Sequence, residues 1–231
     1  MSVDLEQMRV SVGTSLVTAI VYRPADRAVA QIVLGHGAGA NQQSAFMVAA
    51  AQAFAARGVT AVTFNFPYTE QGRRVPDKAD VLERSFASVV REARARAGAE
   101  GLPFHIGGKS MGGRMATHLA ATWSTEASGR LDGVVLFGYP LHPPGRPSRL
   151  RVDHLSQIRV PLLFLQGTRD TFGGPDDIRE AFPSMPPGST VHAVDGADHS
   201  FRTSTNRKLT ADAVLAPLVD VAVRWMLLPR P

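Results

Sequence analysis

Two short runs open the chain, MRVSV (8–12) and SLVTAIVYRP (15–24), separated by Gly13-Thr14. They predict a pair of strands joined as a hairpin. From residue 30 the rhythm changes. AQIVLGHGAG (30–39) is a short apolar strand running into a glycine-rich loop. SAFMVAAAQAFAARG (44–58) has helical spacing and a stop at Gly58, and VTAVTFNFP (59–67) is a strand halted by Pro67. DKADVLERSFASVVREARARAG (77–98) is a long amphipathic helix with Asp at its start and Gly at its end. PFHIGGKS (103–110) predicts a strand and MGGRMATHLAATWS (111–124) a helix. LDGVVLFGYP (131–140) and VPLLFLQG (160–167) are apolar strands, PDDIREAF (175–182) a short helix, STVHAVDG (189–196) a last strand, and 210–228 a final helix.

The later strands are nearly continuous apolar runs. Strands buried on both faces read this way, so the expected fold class is α/β, with a mostly parallel sheet between layers of helices. The opening hairpin adds antiparallel strands at one edge. The irregular stretch LHPPGRPSRLRVDHLSQIR (141–159) is too short for a second domain, so a single domain over 1–231 with one large core is expected.

Composition narrows the chemistry. There is no cysteine, which removes disulfides, thiolate metal sites and a cysteine nucleophile. No apolar run reaches about 18 residues, and the start lacks an apolar leader core, so a cytoplasmic protein without membrane contact is expected. The net charge of +5 comes from 25 basic residues, of which only Lys78, Lys109 and Lys208 are lysines. The arginines are scattered, so an arginine-rich composition explains the charge better than a nucleic-acid partner.

HIGGKSMGG (105–113) admits two readings. A phosphate-binding loop needs a glycine five residues before the Gly-Lys-Ser, and that position is Pro103, which has no N–H to offer a phosphate. A strand–serine–helix turn needs small residues two before and two after the serine, and here they are Gly108 and Gly112. The second reading makes Ser110 a nucleophile, although a serine there could also be an ordinary helix N-cap. A base and an orienting acid should follow on loops after later strands. LQGTRD supplies Asp170 and GADHSF supplies His199, with Asp195 and Asp198 as rival acids. The oxyanion hole would use the backbone N–H groups of Met111 and of Ala38 in the HGAG loop. His36 reads as a structural ring bonded to loop backbone. Lys109, Tyr139 and Phe172 are candidate substrate-binding residues, with Phe66, Tyr68, His142, His154 and the arginines at 146, 149 and 151 as further possible pocket neighbours.

LGHGAG, GGKSMGG, LQGTRD and GADHSF together resemble the α/β-hydrolase superfamily. More narrowly they resemble its compact, capless branch related to dienelactone hydrolases, and the GKSMGGRM run and YPLHPPGRP are similar to the testis-expressed and chromatin-complex-subunit group. The resemblance implies eight strands flanked by helices and Ser–Asp–His chemistry on Ser110, Asp170 and His199. It departs from dienelactone hydrolases at the nucleophile, which is serine here and cysteine there. The expected function is a cofactor-free, metal-free serine hydrolase, carboxylesterase-like, cleaving an ester, thioester or related acyl bond of a small molecule through an acyl-serine intermediate. The alternative is a hydrolase-fold protein used as a binding or scaffold module.

Overall fold

The computed structural model describes residues 3–96, 101–125, 129–206 and 208–229. Its centre is an eight-stranded sheet in the order β1-β2-β4-β3-β5-β6-β7-β8. The strands are β1 (Asp4–Val12), β2 (Ser15–Arg23), β3 (Ala30–Gly35), β4 (Val59–Phe64), β5 (Phe104–Lys109), β6 (Gly133–Phe137), β7 (Leu162–Gly167) and β8 (Thr190–Val194). β1 pairs antiparallel with β2, and β2 antiparallel with β4; every other pairing is parallel. Among the described residues six helices pack on it: α1 (Ala45–Ala55), α2 (Pro67–Glu70), α3 (Ala79–Arg96), α4 (Met111–Ala121), α5 (Pro175–Ala181) and α6 (Ala211–Met226).

Side chains on a strand alternate between its faces, so a run buried at every position feeds two cores. In β6, Val134 and Leu136 enter one cluster and Val135 and Phe137 the other. In β7, Leu162 and Phe164 separate from Leu163 and Leu165 in the same way. The first cluster carries α3 and α4 residues such as Phe86 and Met115; the second carries α1 and α6 residues such as Phe54 and Leu218. The one large core expected from length is thus two layers with the sheet between them.

Three boundaries differ from the sequence reading. β1 begins at Asp4 rather than 8, because an edge strand is held by its backbone ladder, here Asp4 opposite Arg23, and needs no apolar signal. Pro67 stops no strand: β4 has ended at Phe64, and the proline opens the short helix α2 at a position where its missing N–H costs nothing. A 3-10 turn, Leu155–Gln157, breaks the irregular segment before β7. The expected end of α3, past Arg96, falls outside the described residues. Among the described residues no separate cap domain interrupts the sheet and its helices, and no helix is long and apolar enough to cross a membrane.

Candidate active site

The parallel strands bring their carboxyl ends to one rim, and β5 ends there at Lys109 with Ser110 between strand and helix α4. Ser110 has φ 50 and ψ −113, a conformation that costs a non-glycine residue about 1–3 kcal/mol. Neighbouring backbone holds it there. Its N–H donates to the Phe137 carbonyl at 3.0 Å, and its own carbonyl accepts from Arg114 N–H at 2.9 Å. The flanking glycines are required by contact: a Cβ on Gly108 or on Gly112 would run into the Gly35 carbonyl oxygen at the end of β3. The Gly112 Cβ would also lie 2.7 Å from the His36 carbonyl. Strand β3, strand β5 and helix α4 therefore meet without room for a methyl group.

The Ser110 hydroxyl makes no helix-capping bond. It lies 2.9 Å from Nε2 of His199, whose Nδ1 lies 2.7 Å from Oδ2 of Asp170. The structure thus brings together the three residues singled out from sequence, in one hydrogen-bonded line. Asp170 has a side chain with no solvent exposure. Its Oδ1 accepts from Phe172 N–H at 2.9 Å, and its Oδ2 also accepts from Gln166 Nε2 at 3.0 Å. Gln166 is itself fully buried; it donates to the Gly173 carbonyl and accepts from Tyr139 N–H, which fixes the loop that carries Asp170. The sequence reading missed Gln166. Its signal was the one polar residue in the apolar run LLFLQG.

Asp198, a rival acid on paper, shapes the His199 loop instead. Its Oδ1 accepts from the N–H groups of Ser200 and Arg202 at 2.8 and 2.9 Å. Asp195 accepts a long bond from the Thr168 hydroxyl at 3.5 Å. Phe201 takes φ 61 in the same turn and stacks on Phe46, with ring centroids 6.2 Å apart. Lys109 donates from Nζ to the carbonyl of His199 itself, and lies over the Phe201 and Phe46 rings at 5.4 and 5.8 Å. Burial lowers its pKa to about 8, against the opposing pull of Asp170 and Asp198.

His36 is a buried, neutral ring. Burial holds its pKa down to about 4. Its Nε2 accepts from Phe66 N–H at 3.2 Å, which leaves the proton on Nδ1 to donate to the Gly37 carbonyl at 2.8 Å. The ring pins the loop carrying Ala38, and a Cβ on Gly37 would sit 3.7 Å from the Ser110 Cβ.

Ser110 opens into a cavity of about 740 Å³ whose lining includes His199, Ala38, Met111, Lys109 and Phe172. The Phe172 ring lies 4.4 Å from that of His199, centroid to centroid. Tyr139 does not reach this cavity. Gly138, at φ 65, turns the chain, and Tyr139 is buried to 1% with its hydroxyl donating to the Arg151 carbonyl. Phe66 and Tyr68 are likewise core residues. His142 and His154 lie off the cavity, His154 bonded to the Thr117 hydroxyl and stacked on His118 at 3.9 Å. Arg151 lines the cavity, while Arg146 and Arg149 are exposed outside it.

Residues 28–227 match the family described as Alpha/beta hydrolase domain. The chain belongs to the α/β-hydrolase family. Solved α/β-hydrolase folds superpose on it almost end to end. A dienelactone hydrolase from Anabaena variabilis shares 18% identity at a TM-score of 0.75, over 97% of each chain. An α/β serine hydrolase without a lid from Xanthomonas campestris shares 17% at 0.70, over 98% of this chain and 97% of its own. An α/β serine hydrolase homologue from Coxiella burnetii shares 15% at 0.72, over 95% and 96%. At these identities the likeness is one of fold. It reaches the superfamily and the lidless, dienelactone-hydrolase-like architecture, and goes no further.

Proposed function

We propose that this α/β-hydrolase is a serine hydrolase that cleaves an ester, thioester or related acyl bond of a small molecule. The observation that carries the reading is the hydrogen-bonded line from Ser110 through His199 to a buried Asp170. A serine hydroxyl is a weak nucleophile until a base removes its proton during attack. His199 Nε2 is placed to take that proton, and Asp170 to hold the imidazole and stabilise it once charged. The carbonyl carbon is attacked by Oγ, the oxygen develops negative charge, and His199 returns the proton to the leaving group. Water then repeats the sequence on the acyl-serine.

The N–H groups of Met111 and Ala38 are assigned to the oxyanion. Met111 opens α4, where a first-turn N–H has no partner within its helix. A well-placed donor of this kind contributes about 3–4 kcal/mol to the transition state. Phe172 and the Lys109 stem form part of the substrate wall, and the Lys109 ammonium positions His199 by its backbone. Tyr139 has no part in substrate contact.

Labelling by a fluorophosphonate probe tests the proposal, with turnover of 4-nitrophenyl butyrate beside it. The wild type should label and turn over, and Ser110→Ala should do neither. Equal labelling of the two proteins would place the reactive group elsewhere. No labelling of a folded wild type would favour the binding-module alternative.

A further inference from the structure

One wall of the cavity is apolar, built from Phe46, Met47, Val214 and Leu215. The same cavity is also lined by two arginines, Arg114 from α4 and Arg151 from the segment between β6 and β7. The cavity holds two further cations, but both are occupied. Lys109 donates to the His199 carbonyl, and Arg202 donates to the Leu209 and Asn206 carbonyls at 2.8 and 3.4 Å.

Arg114 is different. It forms no salt bridge among the described residues, and its Nε is buried without a hydrogen-bond partner. Arg151 also lacks a salt bridge there, and its side chain makes one long bond of 3.4 Å to the Pro140 carbonyl. Glu83 attracts Arg114 without forming an ion pair with it, and neither nearby acid hydrogen-bonds either arginine among the described residues. Glu83 bonds His118 Nδ1 at 3.0 Å, and Asp77, the acid in the lining, pairs with Arg73 at 2.6 Å. The rings of His118 and His154 beside Arg114 are held neutral mainly by burial, their pKa values lowered to about 4 and about 3. Two guanidinium groups thus line the cavity with no salt-bridge partner among the described residues, and one of them has a buried Nε whose hydrogen bond is unmade. A guanidinium without a salt bridge gains a charge-assisted hydrogen bond when an oxyanion binds beside it. Arg114 sits one helical turn beyond Ser110, about 6 Å along the axis.

We propose that Arg114, with Arg151, forms a carboxylate subsite, so that the ester or thioester substrate carries a carboxylate a short chain away from the scissile carbonyl. The proposal rests on the serine-hydrolase reading for its reaction but not for its binding. The acyl chain or leaving group that bears no charge lies on the apolar wall.

Two matched pairs of esters test it: mono-4-nitrophenyl adipate against 4-nitrophenyl hexanoate, and 4-carboxyphenyl butyrate against phenyl butyrate. The wild type should favour the anionic member of at least one pair by roughly tenfold or more in kcat/KM. Arg114→Met and, separately, Arg151→Met should each lower that ratio by roughly tenfold, mainly through KM. Arg149→Met, outside the cavity, should leave the ratio unchanged. No preference in either pair, or a ratio unmoved by both cavity variants, would overturn the subsite. Calorimetric titration of adipate into Ser110→Ala reads the subsite with no turnover: binding that Arg114→Met abolishes supports it, and no binding overturns it. Binding without turnover of any ester by the wild type would keep the subsite and sink the hydrolase reading.

Discussion

The two halves of the candidate site are held in unlike ways. The Ser110 turn is fixed by backbone against backbone: Gly35, Gly108 and Gly112 touch with no space for a side chain. The His199 loop is fixed by polar side chains reaching into it: Asp198 accepts two of its N–H groups, Lys109 grips its carbonyl, and Asp170 holds the ring. The first arrangement has no intermediate states, because a close-packed contact either fits or displaces two strands and a helix. The second can loosen one bond at a time.

Substitutions should separate the two. The largest effect is expected for Gly112→Ala, whose Cβ meets the carbonyls of Gly35 and His36. The cost should be about 4 kcal/mol or more, seen as a collapse of the urea midpoint or of soluble yield. Full stability in that variant would break the distinction. Asp198→Ala should behave oppositely. It removes two bonds worth about 0.5–1.5 kcal/mol each, so the urea midpoint should fall modestly. Phosphonate labelling rate should fall by roughly ten- to a hundredfold, since small misplacements of a base are costly. An Asp198→Ala protein that labels at the wild-type rate would show that the loop needs no such support.

A further effect is one of acidity. His36, His118 and His154 all have folded pKa values well below the ordinary 6.5. Between about 4 and 6.5 the unfolded chain binds protons that the folded chain refuses. Stability should therefore be complete above pH 6.5 and decline as pH falls toward 4. Thermal melts across that range should show it, and His118→Asn with His154→Gln should flatten the decline. A melting temperature constant from pH 7 to 4 would contradict the neutral, buried state of these rings.

The same contrast governs how much could be read from the chain. Glycines at 108 and 112 announce a close approach, because nothing else explains two absent side chains around one serine. Asp170 was legible as a polar residue just past an apolar strand, and His199 as a histidine in the loop after the last strand. Gln166 and Asp198 were not assigned their work, since one glutamine or aspartate gives no sign of which distant N–H or carboxylate it faces. Tyr139 was misplaced for a related reason: position after a strand does not say which way a side chain points, and the left-handed Gly138 sends it into the core. Arg114 lies inside the GKSMGGRM run, yet its lack of a salt bridge is visible only once the neighbouring acids are placed. The central strands β3 to β7 were legible because burial on both faces leaves a nearly unbroken apolar run, whereas the start of edge strand β1 carries no such mark.

The methyl-tight junction beneath Ser110 also has a kinetic meaning. The backbone beneath the nucleophile cannot shift to suit a substrate, so accommodation falls to the other residues that line the cavity. The segment bearing Pro144 and Arg151, which also lines the cavity, is tied to the body by the Tyr139 hydroxyl on the Arg151 carbonyl and by His142 N–H on the Phe172 carbonyl. Adaptation in this fold is one-sided: a fixed anvil beneath the reacting bond, and a roof that can be retuned without disturbing it.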